Sequence, residues 1–317
     1  MARSWTRSSP ARSPRLPPPR PARQARLRRT DTPDRLTVVG RGNFGRSLAR
    51  ALDARLVPAR TGFEMPRQGL IFLAVPDGAV SEMAARVARM KPPAELGVVH
   101  VSGALGLNVL SALADNPRGS FHPLQSFPMP RDPSAFRGIT IAVDATTPTL
   151  MRQLRALARS LGAKPKHVGD EERVLYHAAA VYASNFVDVV VAEAVRLLAE
   201  VGWTEREATK ALMPLVEGAV SNISRRGVVG ALTGPIRRGD ADTVKRHLEA
   251  IQSLNAPTRR PSVADLPGKR GGEEDLYRML GLVALEIARK AGLDPAAAEQ
   301  TRRALTRDVA ATRRRGT

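Results

Sequence analysis

The stretch Leu36-Thr37-Val38-Val39-Gly40-Arg41-Gly42-Asn43-Phe44-Gly45 constrains this chain more than any other. A short apolar run ends in Gly-x-Gly-x-x-Gly. An amphipathic pattern carrying Leu48, Ala51 and Leu52 starts at Phe44, and a second short apolar run follows at Leu56-Val57. The order strand, glycine loop, helix, strand is the context in which this motif cradles a dinucleotide. Gly40 permits the tight turn out of the strand. Gly42 lets the backbone approach a pyrophosphate. Gly45 lets helix and strand pack closely, and the free N–H groups at the helix N-terminus take the negative charge. Gly40, Arg41, Gly42, Asn43, Phe44 and Gly45 are therefore expected cofactor ligands.

The choice of dinucleotide follows from the end of the second strand. An NAD site usually carries an acid there for the ribose 2′-hydroxyl. Here the residues are Pro58-Ala59-Arg60-Thr61. A guanidinium at Arg60 suits a 2′-phosphate and does nothing for a bare hydroxyl, and Arg41 adds charge within the loop. NADP is expected in preference to NAD.

Further apolar runs at residues 69–75, 97–101 and 138–143 alternate with helical patterns at Val80–Met90 and Pro148–Leu161. Such alternation predicts an α/β domain built on a doubly wound parallel sheet, the Rossmann arrangement, over residues 35–168. Ligands lie beyond the C-terminal strand ends. Ala74, Val75, Pro76, Ser102 and the segment Phe121–Phe127, with Gln125, fall on that rim. From about Asp170 strand signals stop, and residues 169–310 read as an all-helical domain. Its first helix, 170–201, is so apolar that it belongs in a core or a subunit interface.

Net charge is +20 over 317 residues, but the ends carry most of it. Residues 1–30 hold nine arginines and no acid, and the chain after Ala298 carries a net +4. The Pro-rich segment 1–34 predicts a disordered basic tail without the apolar stretch of a secretory signal, and the Pro/Gly/Arg-rich segment 255–272 a mobile loop. This distribution does not predict a specific nucleic-acid site. No uninterrupted run of 18 apolar residues predicts a membrane span, and cytoplasmic placement is expected. Cysteine is absent, which excludes disulfides and thiolate chemistry, and the five histidines lack metal-ligand spacing, so no metal is expected.

His177, Ser184, Asn185 and Asp188 share one helical face in an otherwise apolar helix. Such a stripe must be paired or face a cavity. His177 is a candidate proton donor or acceptor, with Asn185 anchoring a carbonyl or carboxylate and Ser184 beside it. His122, read as lying in a Pro-bounded loop, is a second candidate acid or base. Thr233, Arg237 and Arg238, in Leu232-Thr233-Gly234-Pro235-Ile236-Arg237-Arg238-Gly239-Asp240, could grip an anionic substrate group, or form a turn with an N-cap at Asp240.

These residues, with His100-x-Ser102-Gly103-Ala104, Gly119-Ser120-Phe121-His122-Pro123, Tyr176-His177-Ala178 and Ser184-Asn185, resemble the Rossmann-like proteins with a DUF2520 C-terminal domain. That family is similar to ketopantoate reductase, pyrroline-5-carboxylate reductase and the 6-phosphogluconate-dehydrogenase-like enzymes. The resemblance implies an N-terminal NADP domain, a helical C-terminal domain and a homodimer through the 170–201 helix. Relatives that reduce keto acids carry Lys-x-x-x-Asn on the long helix. Here Val181 stands four residues before Asn185, and His177 is the replacement on that face. The expectation is an NADP-dependent oxidoreductase reducing a small carboxylated carbonyl or imine. The alternatives are a non-catalytic NADP-binding regulator, a coenzyme F420-linked reductase, and a polyanion-binding protein that uses the arginine tails.

Overall fold

A computed structural model describes residues 35–254 and 272–306. The expected basic tail 1–34, most of the expected mobile loop 255–272, and the chain after Thr306 lie outside the described residues. The chain divides into two compact units, one up to Ala179 and one from Ala180.

The first unit is a seven-stranded sheet in the order β2-β1-β3-β4-β5-β6-β7. The strands are β1 (Leu36–Val39), β2 (Arg55–Val57), β3 (Leu70–Leu73), β4 (Gly97–His100), β5 (Arg118–Pro123), β6 (Thr140–Ala145) and β7 (Lys164–His167). All neighbours are parallel except β5 and β6, which pair antiparallel with His122 opposite Ala142. The apolar runs are continuous because both faces are covered. Val38, Phe72 and Val99 face α1 (Asn43–Leu52) and α3 (Pro148–Ser160). Their neighbours Val39, Leu73 and Val98 face α2 (Val80–Arg89). The doubly wound arrangement expected from the alternation is thus present, with one antiparallel pair added.

Two strands depart from the sequence expectation. β5 carries His122, which was expected in a loop. Its sequence, Arg-Gly-Ser-Phe-His-Pro, lacks the β-branched enrichment of a strand, and pairing with β4 and β6 extends it. β7 reads Lys-Pro-Lys-His, an edge strand with no apolar pattern.

The glycine loop has the geometry its residues imply. Gly40 sits at φ +125°, and a Cβ there would lie 2.1 Å from the Ala74 carbonyl oxygen. A Cβ on Gly45 would lie 2.1 Å from the Gly40 oxygen. Both positions require glycine, because the β1 end, the α1 start and the β3 end meet there.

The expected 170–201 helix is broken. α4 (Asp170–Ala183) and α5 (Asn185–Ala199) are separated at Ser184, whose φ of −125° and ψ of −76° are non-helical. The stretch 170–199 is long and apolar enough to cross a membrane by length and composition, with none of its most apolar window buried. The sequence expectation of no span rested on uninterrupted runs, and this stretch passes a test of mean hydropathy that tolerates isolated charges such as Asp188. Its first turns, however, belong to the sheet unit: Arg173 is fully buried there.

In the second unit, α5 packs with α6 (Glu205–Ala231), which Thr204 and Glu207 start with reciprocal capping bonds. α6 runs on to Ala231 across a break at Gly227, φ +68°. α7 (Gly234–Arg238), α8 (Ala241–Leu254), α9 (Gly272–Lys290) and α10 (Pro295–Thr306) gather around Val244, Leu248 and Leu305.

Candidate functional site

The C-terminal ends of β1, β3, β4 and β5 and the first turns of α4 build a cleft of about 330 Å³. Phe44, from the glycine-loop helix, and Phe127 form one wall, with ring centroids 5.0 Å apart and edge-to-face. Asp77, Ser102, Gly103, Gln125, His122 and His177 supply the polar lining. The structure therefore brings together five residues expected from the sequence: Phe44, Ser102, Gln125, His122 and His177.

Glycine at position 103 leaves room for two side chains. A Cβ there would lie 2.7 Å from His177 Nδ1 and 2.8 Å from His122 Nε2, so both imidazoles close over bare backbone. The two rings stand 6.0 Å apart, centroid to centroid. His122 Nδ1 lies 2.9 Å from the Tyr176 hydroxyl. Tyr176 belongs to the site and was missed as a functional residue: in sequence it is one more aromatic on an apolar helix.

Burial, then the neighbouring His177, then Arg173 push His122 down from the ordinary 6.5 to about 4. Burial raises the Tyr176 hydroxyl to about 12. Near neutral pH the His122 ring is uncharged and the phenol keeps its proton. With the hydroxyl donating to Nδ1, the His122 proton sits on Nε2, the tautomer we assign from this partner.

A buried polar layer supports the cleft. The Arg173 guanidinium donates to the Ser120 hydroxyl, to the Ser102 carbonyl at 3.4 Å and to the Val168 carbonyl at 3.2 Å. Burial lowers its affinity for the proton, while Asp144 and Asp170 act in the opposite sense. His100, fully buried at the end of β4, is pushed down to about 3 by burial, then by Arg173 and His122. Neither ring nitrogen of His100 has a partner among the described residues, nor does His177 Nδ1. Ser102 Oγ donates to Asp77 Oδ2 at 2.8 Å and accepts from the Ala104 and Leu105 amides. Ser102 thus shapes the loop and orients the one carboxylate in the cleft.

The residues around the glycine loop fit a dinucleotide. α1 has neither a side-chain cap nor an acid in its first turn, so its leading N–H groups are open. A Cβ at Gly42 would meet nothing within 4 Å, the clearance a pyrophosphate needs. Asn43 Nδ2 donates to the Pro128 carbonyl at 2.7 Å, which ties the helix start to the Phe127 loop. Ala74 backs Gly40, and Val75 and Pro76 continue the rim. The Arg41 and Arg60 side chains are exposed and have no hydrogen-bond or ion-pair partner among the described residues, while the Arg41 carbonyl accepts from Arg46 Nε at 2.8 Å.

The remaining expected residues lie in the second unit. Ser184 marks the helix break, and Asn185 opens α5; both are exposed. Thr233 precedes α7 without making a capping bond. Arg237 Nη2 donates to the Ala291 carbonyl at 2.8 Å, at the end of α9. Arg238 is in the last turn of α7, and Asp240 accepts from the Thr243 amide at 3.0 Å as the N-cap of α8. Arg237 and Asp240 thus have structural partners of their own.

Residues 139–266 match the model of DUF2520, a domain of unknown function. No curated protein matches the chain. Among solved structures, a Thermotoga maritima protein aligns with a TM-score of 0.62 at 21% identity, covering 80% of this chain and 98% of that one. A Bacteroides fragilis protein, an NADP oxidoreductase by name, aligns with a TM-score of 0.61 at 21% identity, covering 82% and 98%. The 1-pyrroline-5-carboxylate reductase of Streptococcus pyogenes aligns at 0.48 and 11% identity, covering 84% and 98%. The first two alignments establish a shared fold along most of the chain.

Proposed function

We propose that the protein is an NADP-dependent reductase of a small carbonyl or imine substrate. The observation that carries this reading is the cleft in which Phe44, from the glycine-loop helix, meets two imidazoles and a carboxylate. The open amides of the Gly40–Gly45 turn would hold the pyrophosphate, Arg41 and Arg60 the 2′-phosphate, and Ala74, Val75 and Pro76 the path between. Bound NADPH supplies a hydride.

The chain's own residues provide the rest. His122 is neutral near pH 7, so it acts through Nε2–H, hydrogen-bonding to a carbonyl oxygen or imine nitrogen as negative charge grows there, with solvent supplying the proton that completes the alcohol or amine. Tyr176 fixes that tautomer through Nδ1. His177, one residue on, offers a second imidazole on the same glycine. Phe44 and Phe127 keep the cleft wall apolar, which strengthens every polar contact inside.

The assembly belongs to this proposal. α5 has no buried residue, and Phe186, Val187, Val189 and Val190 on it are 40–48% exposed. A second copy of the chain covering this surface accounts for that exposure in a water-soluble, cytoplasmic enzyme.

The test is NADPH oxidation against a panel of small keto acids and cyclic imines, with His122→Asn and His177→Asn alongside. Turnover in the wild type that falls at least about a hundredfold in one variant supports the assignment. Full turnover in both variants removes the histidines from the chemistry. NADPH binding without turnover on any substrate favours the regulatory reading.

A further inference from the structure

The segment after β2, Pro58-Ala59-Arg60-Thr61, is gripped from an unexpected side. α2 is fixed on the sheet by Val80, Met83, Ala84 and Val87, all buried. From the same helix, half-buried Arg86 reaches back across the segment. Its Nη1 donates to the Ala59 carbonyl at 2.6 Å and its Nη2 to the Thr61 carbonyl at 2.8 Å. Those two carbonyls flank Arg60. Arg86 has no carboxylate partner among the described residues, and neither the Arg60 nor the Arg41 side chain has a partner there. The Gly40 amide donates to the Val57 carbonyl at 2.9 Å, so the Arg41 turn and the Arg60 segment leave from adjoining strand ends.

Two features of this arrangement call for a ligand. The exposed Arg41 and Arg60 side chains leave from adjoining strand ends with no anionic partner among the described residues, so positive charge is left there for an anion to neutralise. A guanidinium fork on two backbone carbonyls also fixes the main chain on both sides of one exposed residue, which a lysine cannot do. We propose that Arg86 is a specificity-determining positioning residue. Its fork sets the backbone that presents Arg60, and so builds the 2′-phosphate site that separates NADPH from NADH. The inference rests on the NADP reading above and adds a residue that makes no motif in the sequence.

The test measures the dissociation constants of NADPH and NADH by nicotinamide fluorescence for the full chain and for Arg60→Ala, Arg86→Gln and Arg86→Lys. Arg86→Gln is expected to weaken NADPH about tenfold and to leave NADH within about twofold. Arg86→Lys, which keeps the charge but cannot span both carbonyls, is expected to lose most of the same preference. The proposal is overturned if Arg86→Gln keeps the wild-type ratio while Arg60→Ala lowers it. It is overturned equally if Arg86→Lys keeps the full ratio, which would leave charge alone at work, or if Arg86→Gln weakens both nucleotides alike, which would mark a general structural role. A wild type without preference removes the NADP reading itself, and that result is visible before any variant is measured.

Discussion

Acid should weaken the sheet unit well before its carboxylates titrate, because His100 and His122 are buried uncharged. Their values in the fold are about 3 and about 4, against an ordinary 6.5. A depressed imidazole value means that the unfolded chain binds the proton first. The associated stability is fully present above about pH 6.5 and is lost as pH falls, until each folded value is reached. At pH 5, about 1.5 units below the ordinary value, both rings are protonated in the unfolded chain and neutral in the fold. Each such group is worth about 2 kcal/mol there. Solvent reaches part of His122 and reduces its share, so the pair should cost about 3 kcal/mol between pH 7.5 and pH 5. Trp203 lies in the second unit, so its fluorescence is the wrong probe. Amide hydrogen exchange of peptides from β4 and β5, corrected for intrinsic rates, reads the right one. A loss below about 1 kcal/mol, or an equal loss in a His100→Asn/His122→Asn double variant, would refute burial of neutral imidazoles as the cause.

Other consequences follow from the same contacts. Arg173→Met removes the guanidinium from the Ser120 hydroxyl and two carbonyls, and should cost about 3 kcal/mol in urea unfolding. It also removes a positive charge that helps hold His122 down, so imidazole NMR should find His122 titrating at higher pH than in the wild type. Gly45→Ala drives a Cβ into the Gly40 carbonyl and should lower stability by about 3 kcal/mol, whereas Gly42→Ala, with open space around it, should melt normally yet bind NADPH at least about tenfold more weakly. Sedimentation should find a dimer, and Val190→Glu on the uncovered face of α5 should shift it toward monomer without changing the sheet unit.

What could be read from the sequence was what depends on local chain geometry. The glycine loop was legible because Gly40 and Gly45 answer steric demands between adjacent elements, and those demands fix their spacing. The central strands β1, β3 and β4 were legible because burial on both faces favours apolar residues. β5 and β7 were not, because their pairing partners rather than their composition extend them. The break at Ser184 was invisible to periodicity, since the residues on either side, Ala183 and Asn185, continue a helical pattern. In the cleft, the histidines stood out by residue type. Tyr176 and Arg173 did not, because their roles come from partners more than fifty residues away, His122 and Ser120. Arg86 was hidden for the same reason: its partners are backbone carbonyls, which no side-chain pattern records.

The central claim is that the glycine turn and the exposed arginines beside it form an NADP site. The most direct test is calorimetric titration of the full chain with NADPH and with NADH, repeated with Arg60→Ala. The account predicts binding of both nucleotides by the wild type, NADPH at least about tenfold more tightly, with the difference largely gone in the variant. Binding of neither nucleotide, or NADPH preference untouched by the loss of Arg60, would contradict it.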